Sequence, residues 1–214
     1  RKRLHPETEK YEIYTSSKNK DKFFEQVKSQ ISNVGHIYFA GGEPLIQQEH
    51  YDILKEIDSA RRLGQISFSY STNLTDLYFK KNYVINYWKR MSNMRVMVSL
   101  DEIDKDRLFY VRNPSDADVI LGHLKIINSV LNKENKMWMA TPAWSIFNLH
   151  RIKNFMEFFL ENELLPQAWY MNNVWETEFH HIIMMDPSFY CVSNASTLWK
   201  RHLRKQLKEY QEWY

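Results

Sequence analysis

Two hydrophobic periodicities alternate along this chain. Residues 21–33 place Phe23, Phe24, Val27 and Ile31 on one helical face, and 36–40 follows as a short β-rich run. Residues 47–63 return to helical spacing through Tyr51, Leu54 and Ile57, and 65–70 alternates Ile66, Phe68 and Tyr70 against Ser67 and Ser69. Tyr83, Tyr87 and Met91 predict a helix over 76–91, and the run RVMVSL at 95–100 predicts a strand. Ser115 reads as an N-cap with Asp118 at the third helical position, ahead of the stripe Val119, Ile120, Leu124, Ile127 and Leu131. A strand is predicted over 136–141. Asn148 then caps a helix that turns Leu149, Ile152, Met156 and Phe159 inward, and 167–172 is a fifth strand. The pattern resumes at 194–213 as a basic amphipathic helix.

Strands alternating with helices in units of roughly 30 residues predict βαβ units and a parallel sheet, as a doubly wound sheet or a βα barrel. Both forms bind ligands at the carboxyl ends of their strands. The first helix has no strand before it, so the polar residues 1–20 read as a loop whose preceding strand is missing. The expected organisation is a loop remnant over 1–20, a core over 21–175 and a C-terminal extension over 176–214.

Composition narrows the function classes. The chain has 214 residues, 43% hydrophobic and 26% charged, as expected of an ordered globular domain. Its net charge of +3 does not suggest a nucleic-acid groove. No window approaches the run of about 18 apolar residues that a membrane span needs, and no secretory signal is visible. The single cysteine, Cys191, excludes an intrachain disulfide and any metal or cluster site that needs several cysteines of this chain. It fits a reducing, cytoplasmic compartment. There are only 5 glycines, and two of them are adjacent at Gly41-Gly42.

That doublet stands at a predicted strand end. The five strand ends read Ala40-Gly41-Gly42-Glu43-Pro44, Tyr70-Ser71-Thr72-Asn73, Ser99-Leu100-Asp101-Glu102, Ala140-Thr141-Pro142 and Asn172-Asn173, all rich in polar groups. Gly41 and Gly42 permit positive φ and close backbone approach. Glu43 offers a carboxylate for a charge-assisted bond to an amine, and Pro44 sets φ for the next helix. A phosphate loop would want Lys or Arg where Glu43 stands. A tight βα turn with an exposed Glu is the plain alternative.

AGGEP after a strand resembles the second strand of the radical S-adenosylmethionine enzymes. Further along the chain, Tyr70-Ser71-Thr72-Asn73-Leu74 resembles the family's third strand end and Val98-Ser99-Leu100-Asp101 its fourth. Phe109-Tyr110-Val111-Arg112-Asn113-Pro114 is similar to the stretch whose Arg reaches the cofactor. Trp144-Ser145-Ile146-Phe147-Asn148-Leu149 looks like the junction found in members with a shortened accessory ("twitch") domain. The resemblance covers roughly 21–175. It implies a partial (βα)6 TIM-like barrel of parallel strands, here without its first strand and with a C-terminal helical tail.

It further implies that Gly41, Gly42, Glu43 and Pro44 hold the methionyl amino group of S-adenosylmethionine, that Ser71, Asn73 and Ser99 touch ribose or carboxylate, that Arg112 binds the carboxylate, and that Asp101 faces substrate. The family cleaves this cofactor on a [4Fe-4S] cluster to a 5′-deoxyadenosyl radical, fed by a donor such as flavodoxin or ferredoxin, and acts on substrates that include peptides, nucleosides and sugars. Its CxxxCxxC motif is absent from this sequence, so the cluster ligands are expected upstream of residue 1 and no metal ligand within the chain. A non-catalytic barrel that kept only the pocket is the alternative. A lyase or aldolase would want a strand-end Lys or paired carboxylates, and none of the five strand ends shows a Lys.

The other candidates are weaker. His180 and His181 are neighbours that point to opposite faces of an extended chain. Cys191 reads as a small buried residue. Asp101, Glu102, Asp104 and Asp106 form an acidic loop of the kind that is usually solvated, with Asp101 alone at a strand end. Trp138, Trp144, Trp169 and Trp175 read mainly as core, with Trp144 and Trp175 placed to wall a pocket. The basic face of the last helix (Lys200, Arg201, Arg204, Lys205, Lys208) reads as solvated.

Overall fold

A computed structural model describes residues 20–112, 115–131, 135–164, 169–171, 174–176, 182–184 and 188–213. In chain order come α1 (Lys20–Gln30), β1 (His36–Phe39), α2 (Gln48–Ser59), β2 (Ser67–Thr72), β3 (Tyr78–Phe79), β4 (Asn82–Tyr83) and α3 (Val84–Trp88). Then follow β5 (Asn93–Val98), α4 (Lys105–Val111), α5 (Ala117–Leu131), β6 (Lys136–Ala140), β7 (Ala143–Trp144) and α6 (Ile152–Glu161). The chain closes with β8 (Trp169–Met171), β9 (Val174–Glu176), β10 (Ile182–Ile183) and α7 (Thr197–Trp213).

The fold is α/β around a parallel four-stranded sheet in the order β1-β2-β5-β6. Strand order follows chain order, as successive right-handed crossovers produce. Period-2 alternation gives the sheet two unlike faces. In β2, Phe68, Tyr70 and Thr72 are buried while Ser67, Ser69 and Ser71 stay partly open. The register aligns Tyr70 with Val96 and Trp138 on the buried face, and Ser71 with Met97 and Met139 on the open one. Helix residues Tyr51, Leu54 and Ile57 of α2, and Ile120, Leu124 and Ile127 of α5, join the buried face to make the core. An aromatic floor lies beneath the β1–β2 ends. Phe39 and His50 meet edge to face at 4.6 Å, His50 Nε2 lies 3.1 Å from the Tyr70 hydroxyl, and Tyr70 packs on Trp88.

Several expectations are corrected. The helix predicted over 76–91 is instead the β3–β4 hairpin followed by the short α3. Lys80 sits at φ 54, which breaks any helical run, and Tyr78 stacks on Tyr83 across the hairpin at 4.2 Å. The fifth strand, expected over 167–172, does not extend the sheet: β8 pairs antiparallel with β9. A two-residue Asn172-Asn173 link is a hairpin signal in the sequence. α5 is capped by Asp116 rather than Ser115, because Asp116 Oδ1 accepts from the amides of Asp118 (2.9 Å) and Val119. The acidic loop is solvated only in part, with Asp106 exposed. Asp104 caps α4, an unpredicted helix, by accepting from the Arg107 amide, and Glu102 is buried. In α6 Phe155 is buried with Ile152 and Phe159, while Leu149 and Met156 turn inward as expected and are partly buried against the same core.

Trp144 belongs to the core, packed against Phe155. Trp138 is also core, and Cys191 is buried as expected. α7 packs through Leu203, Leu207 and Tyr210, with Lys205 and Lys208 facing Glu209 and Glu212 one turn on. Residues 1–19, Asn113, Pro114, Asn172, Asn173, His180 and His181 lie outside the described residues, as do the side chains of Trp169 and Trp175. Among the described residues no helix is long and apolar enough to cross a membrane.

Candidate functional site

The site starts where β1 ends. Gly41 and Gly42 take φ +85 and +58, the left-handed region that disfavours side chains. A Cβ on Gly41 would meet nothing within 4 Å, so the turn borders open space there. A Cβ on Gly42 would come within 2.8 Å of Gln47 Nε2, the flexible end of a side chain. The chain then extends at Glu43 and enters a 3₁₀ turn at Pro44.

Glu43 is not a free carboxylate. Oε1 accepts from Thr72 Oγ1 at 2.6 Å and from the Leu45 amide at 3.3 Å, and Oε2 accepts from the Asn73 amide at 2.6 Å. An ionised carboxylate offers about four acceptor sites, so one remains, on Oε2. The protein thus fixes this carboxylate and leaves room for a single further donor.

Asn73 extends the chain of bonds. Its Oδ1 accepts from Arg112 Nη1 at 2.6 Å, and Arg112 Nε donates to Asp101 Oδ2 at 2.6 Å. Asp101 Oδ1 takes the Ala143 amide at 2.7 Å. The Asp101 carbonyl takes Asn148 Nδ2 at 2.7 Å. One hydrogen-bonded network therefore links the ends of β1, β2 and β5, the end of α4 and the start of β7. Formally it holds two carboxylates and one guanidinium.

Five of the nine residues selected from sequence meet in or beside this network: Glu43, Asn73, Asp101 and Arg112 directly, and Pro44 through the turn it begins. Gly41 and Gly42 shape the approach. Ser71 lies on the open sheet face. Ser99 follows β5 and its amide donates to the Thr72 carbonyl at 2.9 Å. Asp101 has one protein donor on each carboxylate oxygen. Sequence reasoning missed Thr72, which stands inside a quoted motif. It also mistook the role of Asn148, whose side chain caps no helix. Asn148 Oδ1 instead accepts from the Ser145 amide at 2.7 Å, while Nδ2 serves the carbonyls of Asp101 and Ala143.

Among the described residues no group of three His, Cys, Asp or Glu is placed to hold a metal. The acidic run cannot do so, since Asp101 faces Arg112, Glu102 faces Arg151 and Asp104 caps α4. Below the site, burial lowers the pKa of His50 to about 3 and pushes the Tyr70 hydroxyl up, so both stay neutral and act as packing and hydrogen-bonding groups.

The strand ends of this α/β chain converge on one polar network, and solved structures share the α/β fold. The chain is similar to Streptococcus suis SuiB bound to S-adenosylmethionine, with a TM-score of 0.56 and 15% identity over 92% of this chain and 40% of that one. It is similar to the same protein bound to precursor peptide SuiA, at TM-score 0.55 and 16% identity, covering 94% and 41%. It is also similar to histidine-tagged anSMEcpe with bound AdoMet, at TM-score 0.54 and 16% identity, covering 95% and 53%. This chain thus spans about two fifths to one half of those proteins. No family model and no curated protein matches the sequence.

Proposed function

We propose that this chain is the cofactor-binding part of a radical S-adenosylmethionine enzyme. The observation that carries the reading is the double role of Asn73. Its amide holds the Glu43 carboxylate and its side chain holds the Arg112 guanidinium, both at 2.6 Å. An anion and a cation are thereby fixed one residue apart. The methionyl head of S-adenosylmethionine carries its ammonium and carboxylate on a single carbon and needs such a pair.

The chemistry of the residues supports the reading. Glu43 retains one acceptor site for the ammonium, and Arg112 retains N–H donors for the carboxylate. The open space beside Gly41 leaves the turn's backbone accessible. Ser71 and Ser99, on or beside the open sheet face, are assigned to ribose or carboxylate. A fold shared with two proteins whose solved structures hold this cofactor supports the reading. When bound, the cofactor supplies hydrogen-abstracting radical chemistry; the residues named here bind it, orient it and keep its charged head out of bulk water.

The family's [4Fe-4S] cluster finds no fit in this chain. Cys191 is the only cysteine, and it is buried. For the substrate we favour a peptide. One neighbour was crystallised with a precursor peptide, and an aromatic ladder runs beside the site from Tyr110 through Phe147 and Tyr190 to Phe189, with ring centroids 4.5–5.6 Å apart. Tyr110 is 71% exposed, more than a packing role requires.

Calorimetric titration of S-adenosylmethionine into the full chain tests the reading. Binding is expected, with Glu43→Ala weakening it by about 1.5–3 kcal/mol, the worth of a charged hydrogen bond. No binding by the parent chain, or unchanged affinity in the variant, removes the assignment.

A further inference from the structure

Resting on that reading, we propose that Asp101 and Asn73 are positioning residues, which lock the Arg112 guanidinium so that its remaining donors meet the methionyl carboxylate. Arg112 has five N–H donors. Two are spent on Asp101 and Asn73, and three remain, two of them on Nη2, with no partner among the described residues. Arg112 follows the last residue of α4 with φ −136 and ψ 54, off the helix, so its own backbone does not aim it. The two side-chain acceptors do.

Asp101 is in turn held from behind. The Ala143 amide takes Oδ1, Asn148 takes the main-chain carbonyl, and the side chain is only 12% exposed. A carboxylate held in this way is fixed in place and can hold the guanidinium in turn. Its negative charge also competes with any carboxylate brought to Arg112. Two physical effects therefore oppose each other. Removing the charge relieves competition and tightens carboxylate binding, whereas removing the tether frees a long side chain and weakens it. The bonds at 2.6 Å on both sides of the guanidinium point to the tether as the larger effect.

The test compares S-adenosylhomocysteine, which carries the amino-acid head, with 5′-methylthioadenosine, which lacks it, by calorimetry on the full chain. Asp101→Asn is expected to lose roughly tenfold for the first ligand and less than twofold for the second. Combined with Arg112→Ala it should add nothing further to the loss from Arg112→Ala alone. Equal or tighter binding of S-adenosylhomocysteine, or equal loss of both ligands, overturns the proposal while leaving the binding reading intact. Failure of the parent chain to bind either ligand overturns both. Should Asp101→Asn not fold, the nitrogen-15 spectrum of Arg112 in the parent chain decides. A slowly exchanging Nε–H is expected, and one exchanging as fast as exposed arginines overturns the tether.

Discussion

The Thr72 hydroxyl donates to Glu43 Oε1 at 2.6 Å and, through its own oxygen, accepts from the Leu74 amide at 2.9 Å. This single side chain ties the β1 turn to the end of β2. Thr72→Val keeps the shape and removes both bonds, leaving a buried amide without a partner. The expected loss is about 1–3 kcal/mol of stability, read from urea midpoints at constant slope. Thr72→Ser should recover most of it. A stability unchanged in Thr72→Val contradicts the tie.

The glycine doublet is set by backbone conformation rather than by crowding. Gly41→Ala and Gly42→Ala should each cost about 1–2 kcal/mol, the left-handed penalty for a side chain. The only near contact is Gln47 Nε2 with a Cβ on Gly42. Adding Gln47→Ala to Gly42→Ala is therefore expected to restore little. Full recovery in that double variant would show that crowding, and not φ, required the glycine.

His50 makes stability depend on pH in a defined direction. Packed against Phe39, Tyr51 and Tyr70, it is held neutral by burial down to about pH 3, against an ordinary 6.5. Between those values the unfolded chain binds the extra proton and the folded chain does not. Stability is thus complete above pH 6.5 and falls as pH drops toward 3, by up to about 1.4 kcal/mol per pH unit. His150, whose pKa is lowered by burial and by Arg107, Arg151 and His202, works in the same direction elsewhere. Denaturation of His50→Gln and the parent across this window isolates the His50 share, and the variant should show the shallower slope.

Glu102 and Arg151 form a pair at 3.3 Å without hydrogen-bond geometry, so charge rather than a directed bond joins them. The other Glu102 oxygen accepts from the amides of Ile103 (2.9 Å) and Asp104 (3.3 Å), which fixes the entry to α4. Glu102→Ala is expected to cost about 3 kcal/mol, at the low end for a broken buried pair because Arg151 keeps a quarter of its side chain in solvent. Glu102→Gln should cost less, since an amide oxygen still serves both amides. Thermal midpoints of the two variants give the order.

Periodicity by itself determined the four strands of the sheet and the helices α1, α2, α5, α6 and α7, because each must bury one apolar face and that need is written at local spacing. The adjacent glycines marked the turn after β1, and the structure then showed that both take positive φ. It failed over 76–91, where Tyr83, Tyr87 and Met91 have helical spacing but Lys80 turns the chain back, and at β8, whose partner is its neighbour β9 instead of the sheet. Tertiary structure alone decided what the polar strand ends do. Glu43, Thr72, Asn73, Asp101, Arg112 and Asn148 are scattered widely along the chain, and hydrogen bonds of 2.6–2.7 Å join them only once parallel strands bring their carboxyl ends to one edge. Such bonds depend on separations in space, which no local pattern of residues encodes.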